Sequence, residues 1–99
     1  MRVTVPHHTT KQNARRIVES RLSQLLGQFG QRADEVHHEW SGDVLRFRGK
    51  ARGLSAEGSV EITDAAVIID GKLPLLAKPF ESRIRQAIER EAEAMFKTA

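Results

Sequence analysis

Trp40-Ser-Gly-Asp-Val-Leu-Arg-Phe-Arg-Gly-Lys-Ala-Arg52 is the stretch whose reading decides the fold. After Asp43 it alternates, with Leu45, Phe47, Gly49 and Ala51 on one parity and Arg46, Arg48, Lys50 and Arg52 on the other. Side chains of a strand point to opposite faces with period two, so the segment reads as a half-buried strand. One face enters a core and the other carries four cations in a row.

Its neighbours follow from turn chemistry. Gly42-Asp43 suits a two-residue hairpin turn with Gly first. Trp40 then faces Leu45, His38 faces Phe47 and Val36 faces Gly49, while outside Glu39 meets Arg46 and His37 meets Arg48. A second turn at Gly53-Leu54 predicts Ala51 opposite Ala56, Gly49 opposite Gly58, Phe47 opposite Val60 and Leu45 opposite Ile62. The inward parity holds along the ladder. The outward pairs Arg46–Glu61 and Lys50–Glu57 join opposite charges. In this register Arg48 and Arg52 have no carboxylate directly opposite. Gly49, Ala51, Ala56 and Gly58 leave room for a helix to come close to the sheet. Ala66–Asp70 is a further strand after a turn at Asp64-Ala65, with Val67 and Ile69 inward.

On the N-terminal side, Arg2–Val5 reads as a short edge strand stopped by Pro6. Thr9 or Thr10 can cap a helix. Ala14, Ile17, Val18, Leu22, Leu25, Leu26 and Phe29 recur at helical spacing, and Gly30 is the expected stop before a polar loop, Gln31–Glu35. Lys11, Arg15 and Arg16 lie in the first two turns, where the helix dipole disfavours positive charge. That inconsistency points to a partner for these cations. Leu73–Phe80 is almost wholly apolar and holds Pro74 and Pro79. Leu75, Leu76 and Phe80 are expected to close the core, the alternative being a docking surface. Pro79 suits the first position of a closing helix. That helix carries Phe80, Ile84, Ile88 and Met95, with Ala87, Ala92 and Phe96 beside them, to about Lys97. Glu81–Arg85, Arg85–Glu89 and Glu93–Lys97 have the spacing of helical ion pairs.

The elements run β-α-β-β-β-β-α. The expected architecture is a single α+β domain over residues 1–99, an antiparallel sheet with two helices packed on one face. The place of the first strand in the sheet is left open by this reasoning.

Composition narrows the function. The 99 residues carry a net charge of +3 and no cysteine. Disulfides and thiolate chemistry are excluded, and a reducing cytoplasm fits. No apolar run approaches the roughly 20 residues of a spanning helix, and residues 1–6 lack the apolar region of a signal peptide. His37 and His38 point to opposite strand faces and cannot chelate one ion together. His7 and His8 lack ligand-type partners at metal spacing, so no metal is expected. His38 is read as an imidazole at the core edge, packed near Trp40 and Phe47. The serines sit in no acyl-transfer motif and the glycines form no phosphate loop, so no catalytic residue and no cofactor is expected. The outward sheet face balances Arg46, Arg48, Lys50 and Arg52 with Glu39, Glu57, Glu61 and Asp70, and its parity exposes no aromatic for base stacking.

The order Phe29-Gly30, Trp40-Ser-Gly-Asp-Val-Leu-Arg-Phe47, Gly58-Ser-Val-Glu-Ile-Thr-Asp64, Gly71-Lys-Leu-Pro-Leu-Leu-Ala77 and Pro79, with His8 before the first helix, resembles the polyhydroxyalkanoic acid system proteins. These are small bacterial proteins linked to polyhydroxyalkanoate storage granules. Arg48-Gly-Lys-Ala-Arg-Gly53 is more basic than the corresponding family stretch, and Pro74 is an added proline. The resemblance implies a cytoplasmic, non-enzymatic accessory protein whose partner is the granule or a granule-associated protein, and it carries no catalytic residues. Candidate partner-binding residues are Lys11, Arg15, Arg16, Arg21, Arg48, Arg52, Leu75 and Leu76. The alternatives are a basic nucleic-acid-binding module using Lys11, Arg15, Arg16 and Arg21, and a small hydrolase or ligand carrier. The last would require an apolar pocket between helices and sheet with converging polar groups.

Overall fold

A computed structural model describes residues 1–29, 34–72 and 75–97. The expected helix stop at Gly30, most of the loop after it, and Leu73-Pro74 lie outside the described residues. The elements are β1 (Arg2–Pro6), α1 (Lys11–Phe29), β2 (Glu35–Ser41), β3 (Val44–Ala51), β4 (Leu54–Ile62), β5 (Ala66–Lys72), a short 3-10 helix (Leu75–Phe80) and α2 (Glu81–Phe96). All strand pairs are antiparallel, and the five strands stand in the order β1-β5-β4-β3-β2. β1 is therefore an edge strand, and its neighbour is β5.

The first hairpin has the register that the turn chemistry predicts, with Trp40 opposite Leu45, His38 opposite Phe47 and Val36 opposite Gly49. Gly42 takes φ +60°, while Asp43 has no positive φ, as a turn with glycine first requires. The second hairpin is two residues away from its predicted register. Its turn is Arg52-Gly53, and Leu45 faces Val60, Phe47 faces Gly58, Gly49 faces Ala56 and Ala51 faces Leu54. The turn explains the difference. Arg52 and Gly53 both have positive φ, +53° and +79°, which is the type I′ geometry whose second position favours glycine. A shift of two keeps every side chain on its face, so the inward set survives while the charge pairs change. Arg46 faces Ser59, Lys50 faces Ser55 and Arg48 faces Glu57, so Arg48 does have a carboxylate opposite.

Thr10 caps α1 from just before its first residue, its hydroxyl accepting the Asn13 N–H at 3.1 Å. α2 begins at Glu81, so Pro79 lies inside the preceding 3-10 helix and is not the first residue of α2. The predicted ion pairs along α2 are not among those of the described residues; Glu91 instead pairs across to Arg21 of α1.

Both helices cover the same sheet face. The buried core takes Val3 and Val5 from β1, Ala14 and Val18 from α1, Leu45, Ile62 and Val67 from the central strands, and Ala92 and Phe96 from α2. Each large aliphatic side chain so enclosed contributes about 2 kcal/mol. His7 closes the same end and is 0 % exposed. Its Nε2 donates to the Thr63 carbonyl at 2.8 Å and its Nδ1 accepts the Thr9 N–H at 3.2 Å, which specifies one neutral tautomer. Phe96 packs against the imidazole with ring centroids 6.1 Å apart. No sequence pattern marked His7 as a core residue. The predicted close approach of a helix to the small residues of β3 and β4 is not what fills that space. Phe47 lies over Gly58, where an added Cβ would come within 2.8 Å of the ring.

Candidate functional site

The first-helix cations lie against the hairpin turn. Lys11 Nζ is 3.1 Å from Asp43 Oδ2 and 3.8 Å from Asp64 Oδ1. The hydrogen bond and charge of Asp43, followed by the charge of Asp64, raise the Lys11 ammonium above its ordinary value. Arg15 donates to the Gly42 carbonyl at 3.1 Å, lies 3.6 Å from Glu19, and stacks its guanidinium over the Trp40 ring. Arg16 donates to Asn13. The dipole-opposed cations at the start of α1 therefore find partners within the chain, chiefly at the turn between β2 and β3.

Arg21 has a different setting. It forms an ion pair with Glu91, tying α1 to α2, and its Nη1 donates to Gln24 at 2.9 Å. Its Nε is buried with no hydrogen-bond partner among the described residues.

The outer sheet face is polar and uncovered by helices. Arg48 and Lys50 share a shallow depression with Glu35, His37, Glu57 and Lys72. Lys72 lies 3.8 Å from Glu57, and Arg2 lies 2.9 Å from Asp70. The His37 hydrogen bond at 3.0 Å and its charge, helped by Arg48 and Lys50, hold the Glu35 carboxyl below its ordinary value. Arg52 sits in the turn and its backbone N–H donates to Asp34 at 3.1 Å. The candidate residues of the helix and of the sheet thus fall on separate surfaces.

Leu75, Leu76 and Phe80 do not close the core. They are 83 %, 75 % and 54 % exposed and lie together on the 3-10 helix leading into α2. The expectation from their apolarity fails because the 3-10 helix buries none of its residues. A further feature was not assigned from sequence. Between α1, α2 and the sheet lies an apolar cleft of about 750 Å³. Leu22, Leu25, Ile84, Ile88, Phe47 and Ile69, which periodicity marks as core, are half-buried along its walls. Gly49 opens onto the same space. The only sequence signal for it was Gly49, the one residue of the small-residue end of the sheet that lines it.

Among the described residues no group of three or more His, Asp or Glu side chains could hold a metal ion. No described helix is long and apolar enough to cross a membrane. Comparison with curated proteins and with solved structures gives no match. The family described as "Putative polyhydroxyalkanoic acid system protein" matches residues 1–96. With nearly the whole chain matched, from β1 through the end of α2, this protein belongs to the polyhydroxyalkanoic acid system family.

Proposed function

We propose that the protein is a non-enzymatic accessory protein that docks on the polyhydroxyalkanoate granule, or on a granule-associated protein, in the bacterial cytoplasm. Family membership supplies the polyester system. The observation that carries the docking is the exposure of Leu75, Leu76 and Phe80 on one short helix. Large apolar side chains grouped on a surface mark a site for an apolar partner, and the polyester of a granule is one.

Co-sedimentation with isolated granules tests this reading. The wild-type chain should pellet with granules, and Leu75→Asp combined with Leu76→Asp should leave it in the supernatant. Wild-type protein wholly in the soluble fraction, with no binding to granule-associated proteins, would overturn it. The nucleic-acid alternative predicts binding that weakens steeply with salt. It draws less support, because Lys11, Arg15 and Arg21 are engaged by acidic or carbonyl groups of the chain itself.

A further inference from the structure

We propose that the protein forms a two-fold homodimer in which β2 pairs antiparallel with β2 of a second copy, with His38 on the axis. β2 is the last strand of the sheet on the side away from β1. Its seven residues, Glu35–Ser41, include no proline, and all but the half-buried Trp40 are exposed. An open strand edge is a template for another strand unless proline, a bulge or short length blunts it. The opposite edge is blunted: β1 has five residues, ends in Pro6 and turns Val3 and Val5 into the core.

The backbone of β2 is in phase for this pairing. In a hairpin closed by a two-residue turn, the pair flanking the turn exchanges both hydrogen bonds, and the kinds of pair alternate from there. Ser41, Glu39 and His37 therefore direct N–H and C=O toward β3, while Val36, His38 and Trp40 direct theirs to the open edge. With His38 on the axis, His38 bonds its own copy and Val36 bonds Trp40 of the second copy, each in both directions.

The side chains select a second copy and this register. A two-fold axis normal to the sheet keeps each face on itself, so only residues of one parity can stand opposite each other. On the outer face His37 then meets Glu39 of the second copy, twice by symmetry. On the inner face the exposed Val36 meets Trp40, an aromatic–aliphatic pair of the kind that stabilises neighbouring strands. Moving the axis to His37 would set Glu35 against Glu39 in both halves, and moving it to Glu39 would set Glu39 against itself. Glu39 has no ion pair among the described residues, although Arg46 stands opposite it on β3. Its carboxylate is thus available to His37 of the second copy. A strand pair of this length lies at the small end of specific interfaces, so the dimer is reversible.

The proposal does not rest on granule docking. Leu75→Asp with Leu76→Asp should leave the dimer intact, since both residues lie on the 3-10 helix and not on β2.

Sedimentation velocity on the full chain tests it. The average mass should rise from one chain toward two between micromolar and millimolar concentration. His38→Pro removes an N–H that faces the open edge and should abolish the rise while keeping the thermal transition. His37→Glu sets like charges opposite each other twice and should weaken the dimer about tenfold, and adding Glu39→Lys in the same chain should restore it. These two variants decide if His38→Pro does not fold. The chain has no cysteine of its own. On oxidation His38→Cys should give a disulfide-linked dimer, because directly opposed Cα atoms about 5.5 Å apart are within disulfide reach. Ser41→Cys, about 20 Å from its copy in this register, should not. A single-chain mass at every concentration would overturn the proposal and leave the edge to a strand of a different protein. So would a dimer indifferent to His38→Pro and His37→Glu, or Ser41→Cys cross-linking as readily as His38→Cys.

Discussion

The Arg15 guanidinium lies over the Trp40 ring, 4.2 Å from its centroid, and the same side chain donates to the Gly42 carbonyl at 3.1 Å. One arginine from the second turn of α1 thus ties the helix to the end of β2 and to the β2–β3 turn. Arg15→Ala should cost about 1 kcal/mol in urea unfolding, the scale of an exposed cation–π contact and one hydrogen bond. Arg15→Ala in a Trp40→Leu background should cost less, and a double-mutant cycle measures the difference.

Arg52 holds a left-handed conformation at φ +53°, in the position where a type I′ turn prefers asparagine or glycine. Arg52→Asn should stabilise the protein by about 0.5–1 kcal/mol. Calorimetry should show this as a rise of several degrees in Tm, about 4–8 °C per kcal/mol for a domain of this size.

Gly58 faces Phe47, and a Cβ there would also collide with the Asp70 backbone carbonyl. Gly58→Ala should therefore destabilise by about 1–3 kcal/mol. Adding Phe47→Leu should recover only part of the loss, because the backbone obstacle on β5 remains. Full recovery in the double variant would count against this geometry.

His7 satisfies two backbone groups at once, the Thr63 carbonyl and the Thr9 N–H. His7→Leu should leave both buried groups unpaired and cost roughly 3 kcal/mol by chemical denaturation. His7→Gln, which keeps a donor and an acceptor, should cost less.

Glu35 titrates below its ordinary value of 4.5 because His37 hydrogen-bonds to it and adds charge. A carboxyl with a depressed folded pKa contributes stability above its unfolded value and loses it as pH falls through the folded value. Glu35→Gln should therefore be less stable than wild type above about pH 4.5, and the gap should close on further acidification. The pair is exposed, so the gap is small and shrinks with added salt. A gap that widened as pH fell below 4.5 would contradict the assignment.

The sequence by itself determined the five strands and the two α-helices, the inward parity of β2 to β5 and the first hairpin's register. Alternation around Leu45 and Phe47, the 3.6-residue recurrence from Ala14 to Leu26 and the glycine at 42 are local signals, and backbone geometry reads them locally. It also marked the cations of α1 as misplaced for the dipole, and their partners prove to be Asp43, Asp64 and the Gly42 carbonyl. Tertiary structure decided the rest. A two-residue slip between β3 and β4 leaves the inward set intact, so binary pattern cannot detect it, and the positive φ of Arg52 and Gly53 selects the register. β1 finds β5 through a contact that no periodicity encodes. The apolar character of Leu75, Leu76, Phe80 and Ile84 says that they gain by leaving water, but whether another element covers them is a matter of volume. Here Gly49 on β3 and the placement of the helices leave a cleft beside Ile84, and the 3-10 helix leaves Leu75, Leu76 and Phe80 in solvent.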